Sequence, residues 1–350
     1  MSSIMHAIVI PEVGKAEIRE YPMPACDPDK LLIKNEYCAL CTYEQRVFNG
    51  VHHDPLPIIG GHEVSGTIVE VGEELKGKGW EPGQKVVYGV THPCGVCYHC
   101  RNGNAQACVN FTNRKILPGQ SIIGSGGLAE YAMGNPHSVF KYYDVSAEEA
   151  SLIEPVSCVV HSVESVNPQL GDYVVIIGAG IMGLLHTELC VHKGACVIVV
   201  DMNTERLEHA KKIGAKYVID PSHENTKEKI LEYTRGLGAD AVFDTTPIAS
   251  VAEECVDYLG QMGKLMIYSG IYPDHPISVS PHKIHKKAIS IMGSANSNEH
   301  DFITASKLVS EGIIDVKQFI SGIYEAKDCQ KAFEEAPGKF RNIIHLNFED

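Results

Sequence analysis

The chain has no apolar run long enough to span a bilayer. Its longest, Val174 to Leu185, is 12 residues and is broken by three glycines, against the roughly 20 that a membrane helix needs. It has no long run of lysine and arginine either, and 30 basic residues against 44 acidic ones leave a formal net charge of −14. Such a chain repels phosphate backbones, which argues against a nucleic-acid or anionic-membrane partner. No lysine or arginine precedes Lys15, so the N-terminus lacks the charged start of a signal peptide and a cytoplasmic location is expected. Internal repeats and low-complexity linkers are missing as well. With 44% hydrophobic and 21% charged residues the composition excludes a disordered or fibrous chain. At roughly 150 residues per domain, 350 residues point to about two domains.

Cysteine, by contrast, is plentiful and unevenly placed. Of twelve, four fall within fifteen residues as C-x2-C-x2-C-x7-C, at Cys94, Cys97, Cys100 and Cys108. Disulfide scaffolds belong to far shorter chains, so clustering here points to metal. Four thiolates this close can surround one Zn²⁺ tetrahedrally, the closed arrangement of a structural site. An iron–sulfur cluster or two disulfides would also use four cysteines, but nothing suggests electron transfer. The lobe from 91 to 113 is rich in Gly and Asn and poor in apolar residues, so the metal is expected to hold it together.

The texture of the chain changes twice. Up to about residue 150, short β-rich runs (His6–Ile10, Leu31–Lys34, Val64–Val71, Lys85–Tyr88) alternate with Gly, Pro and Asn turns, as in a small barrel. From 151 to 288, continuous Val/Ile runs at Tyr173–Ile177, Cys196–Val200, Tyr217–Ile219, Ala241–Phe243 and Lys264–Tyr268 alternate with amphipathic stretches such as Thr204–Ile213. That alternation predicts an α/β domain with a parallel sheet covered on both faces. From 289 to 350 a helix at Asp301–Glu311 and a strand at Asn342–Leu346 are expected to rejoin the first domain.

Gly178-Ala-Gly180-Ile181-Met182-Gly183 follows directly on the strand Val174–Ile177 and opens a helical pattern. The three glycines serve a tight turn, close approach of backbone to a pyrophosphate, and close packing of helix on strand. Asp201 lies eighteen residues beyond Gly183, at the end of the next strand. A carboxylate there accepts from ribose hydroxyls and repels a 2′-phosphate, so NAD is expected over NADP, although Arg206 close by is the residue type that serves NADP.

Cys41, His62, Glu63 and Glu154 make a second constellation: a thiolate, an imidazole and two carboxylates, a set that leaves a metal position open for water or substrate. Singly, each also has a plain structural role. Cys41 can be core, His62 a satisfied partner and Glu154 a helix cap, while Cys38 and Cys41 can form a redox pair.

Gly61-His62-Glu63-Val64-Ser65-Gly66 with Gly72, Pro93-Cys94-Gly95-Val-Cys97-Tyr-His-Cys100-Arg101-Asn-Gly103, Gly127-Leu-Ala129-Glu130-Tyr131 and the Gly178–Gly183 turn together resemble the zinc-dependent medium-chain dehydrogenases, in particular the polyol and threonine branch. The resemblance spans nearly the whole chain. It implies a GroES-like β-barrel catalytic domain, 1–150 and 289–350, and a Rossmann doubly wound domain, 151–288. It also implies hydride transfer between a small hydroxylated substrate and NAD, and a homo-oligomer (dimer or tetramer). By the same resemblance Cys41, His62 and Glu63 are the catalytic zinc ligands, and Glu154 either joins them or holds the water. Ile181, Met182, Asp201, Arg206 and Ser269-Gly270-Ile271 are implied cofactor contacts. After Cys41, however, this chain reads Thr42-Tyr43-Glu44-Gln45-Arg46, with Tyr43 at the family's relay hydroxyl and Arg46 at its relay histidine. Arg46 cannot shuttle a proton near neutrality, which leaves Tyr43, Thr42 or a water on Glu154 to carry it. Two carboxylates near the metal favour a hydroxyl-rich secondary alcohol (polyol, cyclitol or sugar-derived) over ethanol, because buried carboxylates need partners. An amino-alcohol or L-threonine substrate is the alternative within the family, and an NAD-binding redox sensor without turnover is the alternative outside it.

Overall fold

The computed structural model describes residues 4–110, 115–116 and 123–349; residues 111–113 of the expected zinc lobe lie outside them. The chain divides into two compact units, Met1–Ser157 with Ser297–Asp350, and Cys158–Asn296.

In the second unit six strands form one parallel sheet, in the spatial order Tyr217–Ile219, Cys196–Val200, Tyr173–Ile177, Ala239–Asp244, Leu259–Ile267, Ser290–Gly293. This is the doubly wound order with its reversal beside Tyr173–Ile177, the place where such sheets bind dinucleotides. Val174, Val175 and Ile176, with Val197, Ile198 and Val199 beside them, are fully buried, because a sheet covered on both faces has no solvent side for polar residues. The last strand continues this sheet, pairing Ser290–Gly293 with Lys264–Ile267. For that reason the unit runs to Asn296, past the change of texture near residue 288.

In the first unit, a hairpin of Ile4–Glu12 and Lys15–Pro22 accompanies a seven-stranded sheet. That sheet runs Ile320–Glu325, Arg341–His345, Leu31–Ala39, Glu63–Val71, Lys85–Tyr88, Val139–Lys141, with Tyr131–Gly134 also on Leu31–Ala39. Register does the positioning. Ala39 faces Glu63 on one side and Ile343 on the other, and Leu40 N donates to Asn342 O (2.9 Å). The chain end that leads into Cys41 is therefore bracketed by Glu63 and by the start of Arg341–His345. Beneath lies a core that includes Ile8, Ile33, Leu40, Ile59, Val64, Leu128 and Ile344.

Around Cys94–Cys108 regular structure shrinks to one helical turn, Tyr98–Arg101, and a 3-10 turn, Ala105–Ala107. Val96, Tyr98 and Val109 are each at least 70% exposed, so the described part of this lobe has no apolar core of its own.

Candidate active site

One ligand atom each of Cys41, His62 and Glu63 lies within 4.8 Å of the others. Cys41 is the N-cap of the helix Thr42–Phe48, and Glu63 begins its strand. Between them, Gly61 has φ +88, and a Cβ on it would meet Leu128 N at 2.6 Å and Cys38 Sγ at 2.7 Å. Only glycine can deliver His62 and Glu63 there. Cys38 is buried beneath that turn as a free thiol, so it packs the core and forms no disulfide with Cys41.

Each ligand is held from behind. Glu44 Oε1 takes His62 Nδ1 (2.9 Å) and the Gly61 N–H (2.9 Å), which leaves the other ring nitrogen as the metal-facing one. Glu63 is gripped by Arg341 through a fork, Nε to Oε2 at 2.7 Å and Nη2 to Oε1 at 2.8 Å. Arg341 and Glu63 are only 3% and 1% exposed. Arg341 Nη2 also lies 3.8 Å from Cys41 Sγ. Each carboxylate oxygen keeps a lone pair beyond the fork, so Glu63 can hold an ion and Arg341 together. Burial pushes the Cys41 thiol up. On His62 burial opposes the charge, but Glu44 and Cys41 outweigh it and raise the ring. Thiol and imidazole thus retain protons that a dication would displace. The donor set fits zinc.

Glu44 and Arg341 were not among the residues the sequence singled out. Glu44 had a signal, one helical turn from Cys41. Arg341 had none, being 278 residues from Glu63. The fork also revises the charge argument for a hydroxyl-rich substrate, since both Glu63 oxygens already have partners. Glu154 is buried and within the electrostatic reach of Arg341, but stands outside the 4.8 Å set. Thr42 is exposed. Tyr43 sets its ring edge against His62, centroids 6.1 Å apart, and donates its hydroxyl to Asp54 Oδ2 (2.7 Å).

The thiols of Cys94, Cys97, Cys100 and Cys108 also lie within 4.8 Å of one another. All four are free, and the Cys97 and Cys108 sulfurs are 3.9 Å apart, against about 2.05 Å in a disulfide. N–H donors from Val96, Asn110 and Cys97 bring Cys94 down to about 6, while burial and Cys97 push Cys100 up to about 12. Four sulfurs this close cannot all ionise without a cation among them.

In the other unit Gly180 caps the helix Ile181–His192 with no side-chain bond, leaving its first N–H groups for an anion. A Cβ on Gly180 would meet nothing within 4 Å, whereas one on Gly183 would meet Gly178 O at 1.8 Å. Open space at one glycine and closure at the other fit a pyrophosphate over the turn. Asp201 Oδ2 accepts from Ala179 N (2.6 Å) and Oδ1 from Asn203 N (2.8 Å), so its carboxylate is fixed beside that turn. Arg206 donates its backbone N–H to Asn203 Oδ1. Ser269 Oγ donates to Thr245 O (2.8 Å), while Gly270 is exposed and Ile271 half-buried.

Residues 27–144 match the family model described as alcohol dehydrogenase GroES-like domain, and 182–311 the one described as zinc-binding dehydrogenase. The chain is 30% identical to D-arabinitol dehydrogenase 1 of Uromyces fabae, over 89% of this chain and 88% of that protein. It is 29% identical to sorbitol dehydrogenase of Halalkalibacterium halodurans, over 91% and 92%. A zinc-binding dehydrogenase from Sinorhizobium meliloti 1021, solved bound to NADP, shares the fold with a TM-score of 0.88 at 24% identity, covering 98% of this chain and 100% of that one. The chain belongs to the zinc-dependent medium-chain dehydrogenases, which pair a GroES-like unit with a Rossmann unit. It is an alcohol dehydrogenase of the zinc- and NAD(P)-dependent class.

Proposed function

We propose that this enzyme interconverts a secondary alcohol of a polyol, cyclitol or sugar-derived substrate and its ketone, with NAD as its hydride carrier. The observation that carries the reading is the Cys41, His62 and Glu63 set. Three donors converge, Cys41 and His62 are partly exposed, and Glu63 is sealed beneath by Arg341. Three protein ligands with one open side are what a catalytic zinc needs. Zinc held by Cys41, His62 and Glu63 would supply Lewis-acid stabilisation of the substrate oxygen, and a nicotinamide in the Rossmann unit would supply the hydride acceptor.

The chain's own residues do the positioning. Glu44 fixes the tautomer and plane of His62, and Arg341 keeps Glu63 aimed. In the Rossmann unit the N-terminus of Ile181–His192 takes the phosphates, and Asp201 selects ribose hydroxyls over a 2′-phosphate. The two polyol dehydrogenases among the relatives support the substrate class.

The test is a panel of polyols, cyclitols, L-threonine and ethanol with NAD and with NADP, followed by NAD(P)H absorbance. The best polyol or cyclitol should exceed ethanol and threonine in kcat/KM by about tenfold or more, with NAD ahead of NADP. If ethanol or threonine exceeds every polyol, the substrate class is wrong. If nothing in the panel is turned over, the polyol reading fails and the substrate belongs to another class.

A further inference from the structure

Tyr43 does not stand alone beside His62. Its hydroxyl donates to Asp54 Oδ2 at 2.7 Å, and the same oxygen is met by His52 Nδ1 at 2.8 Å. The His52 ring stands edge-on to the Tyr43 ring, centroids 5.2 Å apart. Asp54 is only 8% exposed in its side chain, and its Oδ2 sits between the Tyr43 hydroxyl and the His52 ring nitrogen. Tyr43 itself is half-buried, two residues beyond Cys41, with Cys41 and His62 partly open next to it.

The chemistry of a phenol then limits what Tyr43 can do for a ligand. A hydroxyl has one proton and two acceptor lone pairs. With the proton committed to a carboxylate, a charge-assisted bond about twice as strong as a neutral one, only acceptor capacity is left. A group that meets the Tyr43 oxygen must bring its own proton.

We propose that Tyr43, oriented by Asp54 and His52, accepts a hydrogen bond from a second hydroxyl of the substrate and so makes the site selective for diols over mono-alcohols. Tyr43 is the contact, and Asp54 and His52 are positioning residues that act through it. This deepens the polyol reading above and rests on it for the reacting carbinol, but the recognition step is separate from turnover. The bond exists in the ground state, so its loss should appear mainly in KM.

The probes are butane-2,3-diol and butan-2-ol, which differ by one hydroxyl, used on the full zinc-loaded chain. Two quantities are read: kcat/KM for each with NAD, and equilibrium binding of each without nicotinamide, by NMR line broadening. In the unmodified chain the diol should lead by about tenfold or more in both. Tyr43→Phe should bring both ratios close to one, through the KM of the diol. Asp54→Ala should lower them too, because the phenol then loses the acceptor that fixes the direction of its proton. A purely structural role for Asp54 would instead depress both alcohols alike and leave the ratio as it was. Should one variant fail to fold, the other decides. If neither alcohol is oxidised, the polyol panel above judges the proposed function, and the binding ratio still judges this inference. If both are oxidised, equal ratios in the unmodified chain, or a diol preference that survives both substitutions, overturn it while the dehydrogenase stands.

Discussion

Replacing Arg341 by leucine would leave the Glu63 carboxylate buried with neither of its guanidinium hydrogen bonds. The pair is made of two charge-assisted bonds, 2.7 and 2.8 Å, with both side chains 3% exposed or less, so solvent cannot replace the lost partner. Breaking one side of a buried pair costs about 3–5 kcal/mol. For a unit of this size that lowers Tm by roughly 6–20 °C. The assay is specific to the right unit, because the single tryptophan of the chain, Trp80, packs on the core of the first unit. Its fluorescence during urea unfolding, with chelator titrated until elemental analysis shows only the four-cysteine zinc retained, should show Arg341→Leu destabilised by that amount. Glu63→Leu with Arg341→Leu should regain most of it, since removing both charges removes the orphan. If Arg341→Leu alone unfolds within about 1 kcal/mol of the unmodified chain, the fork does not hold Glu63 as argued.

The two cysteine sets should separate on substitution: elemental analysis of Cys41→Ser should show one zinc fewer and no turnover in a folded protein, whereas Cys100→Ser should give poorly folded or aggregated material because the lobe has no core to fall back on. Asp201→Ala should narrow the preference for NAD over NADP by about tenfold in kcat/KM, through loss of ribose hydrogen bonds and of charge repulsion. Asp244 is fully buried with Oδ2 unpartnered, and burial pushes its carboxyl up. With the folded value above the unfolded one of about 3.9, stability is lost as pH rises from there through the folded value. Asp244→Asn should therefore raise the calorimetric Tm of the second unit more at pH 7 than at pH 4, and an equal effect at both would show that the carboxyl is not penalised by burial.

Much of this protein is written locally. The strands Tyr173–Ile177 and Cys196–Val200 begin and end where Val/Ile runs meet turn residues, because a strand buried on both faces must be apolar throughout. Cys94 to Cys108 and the Gly178–Gly183 turn are similarly self-contained, each a short segment whose spacing sets its own geometry. What the local pattern could not contain is pairing at long range. Arg341 reaches Glu63 only because strand register places Ala39 between Glu63 and Ile343, and no residue near either announces the other. The same holds for the state of Tyr43. Its identity is plain in the sequence, but whether its hydroxyl gives or takes a proton depends on Asp54, eleven positions away. Apolar periodicity and ligand spacing are properties of a segment and can be read along it, whereas the partner of a buried charge or hydroxyl is chosen by packing, which exists only once the sheet has formed.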